Sequence, residues 1–206
     1  AYPKKMKWWK RYGQKELKGL CYLVQGDAYY TKSEFAKSKV AYLNSIALIK
    51  ELPSTGRLAT LYNNLGLVYY INAQYDSAMV VFLQSLKIES ANQNQEGIAK
   101  SYQNIGLVHF QMGDNDKFNS YMKMALALYE RLNDNLRVAE AANNIAIAMA
   151  DDGDYDSAFT YYQKAYASFE EYGDELNMAN VLNNLGNLFY YKGQYKEAES
   201  YLLKAL

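Results

Sequence analysis

A period of forty residues runs through the chain and constrains its fold more than any other feature of the sequence. Two series recur at this spacing: Ala73, Gly113, Gly153 and Gly193, and Asn64, Asn104, Asn144 and Asn184. A fixed period of this length is typical of repeat arrays, in which a unit buries its apolar face only by stacking on a neighbour. The sequence therefore predicts an array of similar units.

Each period predicts two helices joined by tight connections. The first series supplies small or flexible residues, which suit a helix C-terminus where the chain must leave the spiral. A further series consists of residues whose side chains can cap a helix N-terminus: Ser54, Asn94, Asp134 and Asp174. Each repeat is thus predicted as helix A, a turn, helix B and a short loop. In repeat 2, helix A is expected over about residues 56–72 and helix B over about 75–90.

Apolar residues recur at helical spacing within these predicted helices. One face of helix A in repeat 2 carries Tyr62, Leu65, Gly66 and Tyr69, and one face of helix B carries Ala78, Phe82, Ser85 and Leu86. Gly66 and Ala78 are small, as close approach of two helices requires. These positions are the predicted core.

This pattern resembles the tetratricopeptide repeat family, specifically its variants of about forty residues, such as kinesin light chain and Rap-type regulators. The matching positions in repeats 4 and 5 are Ala142, Ile145, Ala146, Met149, Ala158, Tyr162 and Ala165, and Leu182, Leu185, Gly186, Phe189, Ala198, Leu202 and Ala205. Repeat 3 departs from the motif at Phe118, and repeat 1 at Gln25 and Ser38. The family's closing proline is absent throughout.

We therefore predict an all-α fold, a right-handed α-solenoid of five stacked helix-turn-helix repeats, cut in helix B at both ends. Tyr12 and Gly13 match Tyr172 and Gly173, so residues 1–13 are expected to end an upstream helix B. The five repeats are predicted at 14–53, 54–93, 94–133, 134–173 and 174–206, the last being truncated. Residues 1–206 would form a single solenoid.

Amide side chains form a second stripe on helix A, away from the predicted core face. Successive helical residues are about 100° apart, so Asn64 cannot share a face with Gly66. We call this stripe the asparagine ladder: Asn63, Asn64, Gln103, Asn104, Asn143, Asn144, Asn183 and Asn184. The ladder stops in repeat 1, where Leu23 and Val24 stand instead.

The resemblance implies that the ladder lines the concave surface of the solenoid. An amide offers a donor and an acceptor, so a row of amides can hold an extended peptide backbone, with Tyr70, Phe110 and Tyr190 adding specificity. The alternative is that the amides bond adjacent repeats and fix their stacking. Some family members clamp a C-terminal carboxylate with basic residues, but here only Lys100 fits such a clamp.

The chain offers no constellation for catalysis or metal binding. His109 is the only histidine and Cys21 the only cysteine, and both fall in repeat positions that predict packing. The acidic run Asp151–Asp156 coincides with the turn before helix B, where carboxylates favour the helix N-terminus, so capping is preferred to calcium binding. We predict no enzyme activity, no cofactor and no metal.

Charge and hydropathy predict a soluble chain that binds neither nucleic acid nor membrane. Lysine plus arginine equals aspartate plus glutamate, 22 each, and no apolar run is long enough for a membrane span. Residues 4–11 mix basic and aromatic residues, but Trp8 and Trp9 match apolar helix-B positions and are expected to pack.

We predict a protein interaction scaffold that binds a peptide or protein segment in the concave groove. The alternative is a sensor or regulatory segment of a larger bacterial signalling protein, a histidine kinase or transcription regulator, acting by intramolecular contact or dimerisation. Self-association as a homodimer or end to end stays open. The sequence does not identify the partner.

Overall fold

The structure, a computed structural model, describes the backbone of residues 2–50, 52 and 56–206, with side chains from Tyr12 onward in those ranges. These residues form ten α-helices and no strand: α1 (Tyr2–Thr31), α2 (Phe35–Ile49), α3 (Gly56–Ile71), α4 (Tyr75–Ala91), α5 (Gln95–Gln111), α6 (Asn115–Arg131), α7 (Asn135–Asp151), α8 (Tyr155–Tyr172), α9 (Glu175–Tyr191) and α10 (Tyr195–Lys204). The predicted all-α fold is confirmed, and α3 and α4 end within one residue of their predicted bounds.

The chain divides into two compact units, residues 1–112 and 113–206. In the first unit each helix packs against the next, and α3 also contacts α1 and α5, the helices two places away. The second unit repeats this arrangement in α6–α10, where α7 also contacts α9. Helix pairs packed in series are the arrangement of a tetratricopeptide-like solenoid. The repeat boundaries and a single solenoid over the whole chain stay predictions.

Small residues on helix A make room for large rings on helix B. A Cβ added to Gly66 would overlap the Phe82 ring, with Cδ1 only 2.6 Å away, and the ring itself is 1% exposed. In repeat 1 the same relation joins Gly26 to Tyr42. The second unit buries Ala142, Ala146, Tyr162 and Leu185 in its core, as the repeat pattern predicts.

Left-handed backbone ends the helices at both connections. Ala73 has φ of 55°, and the glycines at the same repeat position have φ of 77°, 82° and 74°. Between repeats, Gln93 and Asn133 also have φ of 55° and Gly173 has 80°. The series that begins at Ala73 was predicted to end helices. The same left-handed backbone recurs twenty residues later, at the connections between repeats.

Side chains cap most of the helices that follow these connections. Asn94, Asp134 and Asp174 each accept a hydrogen bond from the backbone N–H three residues later, at 3.3, 3.2 and 3.1 Å. Asp114 and Asp154 do the same for α6 and α8, each at 3.2 Å. The predicted caps are confirmed, except that Ser54 lies outside the described residues.

The predicted helix end at Gly13 is wrong. Helix α1 runs without interruption from Tyr2 to Thr31. At Gly173 the helix ends in a left-handed conformation and Asp174 caps the next helix, whereas Gln14, the residue after Gly13, is not one of the preferred capping types. A glycine inside a helix costs only about 1 kcal/mol, so without a cap to begin a new helix α1 continues.

The predicted packing of Cys21 is also wrong, since this thiol is exposed. Its counterpart Leu61 is fully buried because it packs in a cluster with Ile46 and Ile49 of the preceding α2. The prediction for Trp8 and Trp9 concerns side chains outside the described residues.

Candidate functional site

The asparagine ladder lies on the first helix of each predicted repeat, outside the buried core. On α3, Asn63 and Asn64 are half-buried while the next residue, Leu65, is 2% exposed. The same pattern holds on α5, α7 and α9, where Asn183 is exposed and the other ladder amides are half-buried. The ladder amides are therefore accessible from solvent in both units.

In the first unit the ladder forms a hydrogen-bonded chain between helices. Asn104 Nδ2 donates to Asn63 Oδ1 at 2.7 Å, across one repeat. Asn63 Nδ2 in turn donates to Asn64 Oδ1 at 3.3 Å, and Asn64 Nδ2 donates to Asp27 Oδ1 at 3.0 Å. Three consecutive helix-A elements, α5, α3 and α1, are thus connected through polar side chains.

Asp27 and Tyr42 complete this chain in repeat 1, where the sequence lacks the ladder. The Tyr42 hydroxyl donates to Asp27 Oδ1 at 2.7 Å. Burial, followed by the hydrogen bond to Asp27, raises the pKa of the Tyr42 phenol, which therefore stays a neutral donor. The sequence did contain a signal, because Asp27 occupies a position held by Leu67 and Leu107 in the next repeats.

The second unit contains one such bond between repeats. Asn184 Nδ2 on α9 donates to Asn143 Oδ1 on α7 at 3.3 Å. Both bonds between repeats join the second amide of one repeat to the first amide of the repeat before it. This is the geometry that the stacking interpretation requires. Each amide has two N–H donors and two acceptor lone pairs, so one bond leaves further capacity for a ligand.

A polar cavity of about 250 Å³ lies beside the ladder in the first unit. Seven of its lining residues carry the polar groups considered below: Thr60, Asn63, Asn64, Glu89, Asn94, Glu96 and Lys100. Lys100 Nζ pairs with Glu96 Oε1 at 2.6 Å, an exposed pair one helical turn apart. The cavity thus brings together predicted groove residues with Glu89 and Asn94, for which the sequence predicted no place in the groove.

The aromatic residues predicted to flank the ladder lie near the C-terminus of helix A, whereas the ladder amides lie in the middle of the helix. The Tyr70 ring packs against Tyr75 across the connection to helix B, with centroids 5.9 Å apart. Tyr190 contacts Tyr191 and Tyr195 and is 60% exposed. Phe110 holds the equivalent position on α5 and is half-buried.

The remaining candidates from the sequence are the histidine, the acidic run and possible metal ligands. His109 is half-buried, as predicted from its repeat position. Hydrogen bonds from the Ser157 hydroxyl and N–H lower the pKa of Asp154, as expected of a capping carboxylate. No group of three or more potential metal ligands occurs in the described part of the chain. None of the described helices has both the length and the apolar composition that crossing a membrane requires.

Family models for the tetratricopeptide repeat match residues 58–90, 97–171 and 137–206, the last two from one model. No curated protein sequence matches the chain. Many solved structures are similar, 216 chains in all, and three of them follow. BtubC (BKLC) from P. vanneervenii has a TM-score of 0.80 and 23% identity, with 89% of this chain and 76% of that chain covered.

The second is the Rap conjugation gene regulator of plasmid pLS20 in complex with the Phr* peptide, with a TM-score of 0.71 and 19% identity. The alignment covers 87% of this chain and 50% of the Rap regulator. The third is a putative kinesin light chain of Podosopora anserina with TPR-like repeats, with a TM-score of 0.75 and 12% identity, covering 90% and 91%. At sequence identities of 23% or less, these similarities show a shared fold and nothing further.

Proposed function

Because the chain belongs to the tetratricopeptide repeat family, whose stacked helices serve as interaction scaffolds, we propose that it binds an extended peptide or protein segment along the asparagine ladder. The observation that carries the proposal is that the helix-A elements of each unit carry accessible amides at one repeat position, and that an amide has more donors and lone pairs than one hydrogen bond uses. The proposal includes no catalytic role.

The bonds between repeats support this role as well as stacking. An amide that must find its orientation on binding loses side-chain entropy, whereas Asn63 is already held by Asn104 and Asn64. Held side chains present donors and acceptors in a fixed geometry, which reduces the cost of binding. The amides can bind the main chain of a partner without regard to its sequence, because every peptide unit offers the same groups.

The pLS20 Rap regulator provides a precedent for a peptide on a similar fold, since its structure contains the Phr* peptide. Only the fold is shared at 19% identity, so the transfer of peptide binding to this chain is part of the proposal. The identity of the peptide is not transferred.

The test is capture of N-acetylated, C-amidated random decapeptides by the whole chain. We expect Asn63→Ala with Asn104→Ala to weaken capture about tenfold, because two main-chain hydrogen bonds are lost. The matched control is Asn44→Ala, which removes an exposed amide from helix α2. Circular dichroism and Tm check that each variant folds. Equal capture by the folded ladder variant and the wild type would refute the proposal, as would a wild-type chain that captures no peptide.

A second candidate is a regulatory segment of a larger bacterial signalling protein. It is favoured by the likeness to the Rap regulator, of which this chain spans half the length. Such a segment would act by contacts within the longer chain or by dimerisation. Light scattering over a hundredfold range of protein concentration tests for dimerisation. If the chain dimerises, its molar mass must rise with concentration.

A further inference from the structure

Glu89 is a carboxylate at a repeat position that otherwise belongs to the core. The corresponding residues forty apart are Ile49, Tyr129 and Phe169, and all three are buried. Glu89 lies in the last turn of α4 and is itself only 7% exposed. A charged group is thus held where the other repeats bury an apolar side chain.

The opposite wall of the site is a glycine. Gly97 on α5 faces Glu89 so closely that a Cβ there would lie 2.7 Å from Glu89 Cγ and Oε1. The other repeats carry a side chain at this position, namely Leu17, Arg57, Arg137 and Asn177. The absent side chain leaves room for the carboxylate and for the cavity of about 250 Å³ beside it.

Within the part of the chain that the structure describes, the Glu89 carboxylate has a hydrogen-bond donor and no paired cation. Glu89 Oε2 accepts from Asn94 Nδ2 at 2.8 Å. No lysine or arginine pairs with Glu89 among the residues that the structure describes, and the cation lining the cavity, Lys100, is paired with Glu96. The cavity lining therefore holds two carboxylates and one ammonium, a net charge of −1. A buried carboxylate without a cation is costly, so the site favours a positive group.

We infer that this cavity accepts a lysine or arginine side chain of the bound segment, with Glu89 as its counter-ion. The inference rests on the proposed function, because the side chain belongs to a segment lying on the ladder. Asn63, Asn64 and Thr60 line the same cavity. Each of their side-chain oxygens has two lone pairs, so each can accept a hydrogen bond from the remaining N–H groups in addition to the bonds it already makes. The ladder thus binds the main chain, and the cavity selects one basic residue of the sequence.

The competing explanation is that Glu89 only stabilises the start of α5. Asn94 caps this helix by accepting from Gly97 N–H at 3.3 Å, and Glu89 holds Asn94 in place. That role predicts an effect of Glu89 on stability and none on the choice of peptide, so peptide selection separates the two explanations.

The experiment selects N-acetylated, C-amidated random decapeptides with the wild type, with Glu89→Gln and with the control Glu199→Gln, which removes an exposed carboxylate of α10. Acetylation leaves side chains as the only cations of the peptides. We expect enrichment of lysine or arginine at one position with the wild type and with Glu199→Gln, and loss of that enrichment with Glu89→Gln. One selected peptide is then remade with norleucine for lysine or citrulline for arginine, and the wild type should bind it about tenfold less tightly.

Each other result decides against the inference. Peptides captured without basic enrichment, or enrichment that persists in Glu89→Gln, would overturn the cationic pocket while leaving the ladder intact. Capture of no peptide by the wild type would overturn the proposed function and the pocket together. If Glu89→Gln fails to fold, the norleucine or citrulline peptide decides alone, and unchanged affinity of the wild type for it refutes the pocket.

Discussion

Asn104 on α5 donates a 2.7 Å hydrogen bond to Asn63 on α3, so two residues 41 apart in sequence are joined at the same level of neighbouring repeats. Asn184 and Asn143 repeat this relation in the second unit at 3.3 Å. Asparagine is a poor helix former, less favourable than alanine by about 0.6 kcal/mol. The bond between repeats gives a physical reason for keeping it inside a helix.

A double-mutant cycle of Asn63→Ala and Asn104→Ala measures this bond. We expect a coupling free energy of about 1 kcal/mol, because a neutral hydrogen bond that is partly exposed has a modest net value. The longer Asn143–Asn184 bond should give a smaller coupling. Urea unfolding of the four chains in each cycle provides the measurement. Zero coupling for Asn63 and Asn104 would mean that the bond does not stabilise the stacking.

Gly66 and Gly13 both lie inside helices, yet replacement by alanine should have opposite effects. A Cβ at Gly66 overlaps the buried Phe82 ring, so Gly66→Ala is expected to lower the free energy of unfolding by about 1–3 kcal/mol. A Cβ added at Gly13 would have no neighbouring heavy atom within 4 Å. Gly13→Ala should therefore raise the free energy of unfolding by up to about 1 kcal/mol. Urea titration measures both. A loss of stability in Gly13→Ala would contradict the uninterrupted helix α1.

The repeat period predicted the elements that depend on local chemistry. Helix ends, caps and core faces follow from residues close together in sequence, and for this reason Ala73, Asp154 and Phe82 were placed correctly. The break at Gly13 was predicted from a single matching pair, without the capping residue that makes Gly173 a true helix end. The capping residue was the more reliable signal.

The polar residues that replace apolar ones were harder to interpret from the sequence. Glu89 stands at a repeat position that is otherwise apolar, and Asp27 stands where the next three repeats carry Leu67, Leu107 and Ile147. Whether such a residue points to solvent or inward depends on partners far along the chain. Asp27 meets Tyr42 and Asn64, and Glu89 meets Asn94 and the space at Gly97. The candidate cavity therefore could not be predicted from the sequence and became visible only in the structure.

Gln74 is the N-cap residue of α4 but makes no side-chain capping bond, whereas Asp154, at the same repeat position, caps α8. We expect Gln74→Asp to raise the free energy of unfolding by about 0.5–1 kcal/mol, since a carboxylate there can accept from a free N–H group. Asp154→Ala should lower it by about 1 kcal/mol. Gln74→Ala is the matched control, with no capping bond to lose. Urea unfolding distinguishes the three variants, and equal stability of Gln74→Asp and Gln74→Ala would count against the expected cap.

Tyr162 should make the stability of the chain fall at alkaline pH. Burial, followed by the negative charge of Asp151, raises the pKa of this phenol to about 12, against an unfolded value of about 10. Below pH 10 both states hold the proton and the stability is fully present. Between pH 10 and 12 the unfolded state loses the proton first, so the free energy of unfolding decreases by up to about 1.4 kcal/mol per pH unit.

The measurement is urea unfolding from pH 9 to pH 12 for the wild type, Tyr162→Phe and the control Tyr172→Phe, whose ring is 60% exposed. Other tyrosines and lysines titrate in the same range, so the relevant quantity is the difference between the chains. We expect Tyr162→Phe to lose less stability than the wild type above pH 10, because phenylalanine has no proton to release, and Tyr172→Phe to follow the wild type. Parallel curves for the wild type and Tyr162→Phe would show that the hydroxyl of Tyr162 titrates alike in the folded and unfolded states.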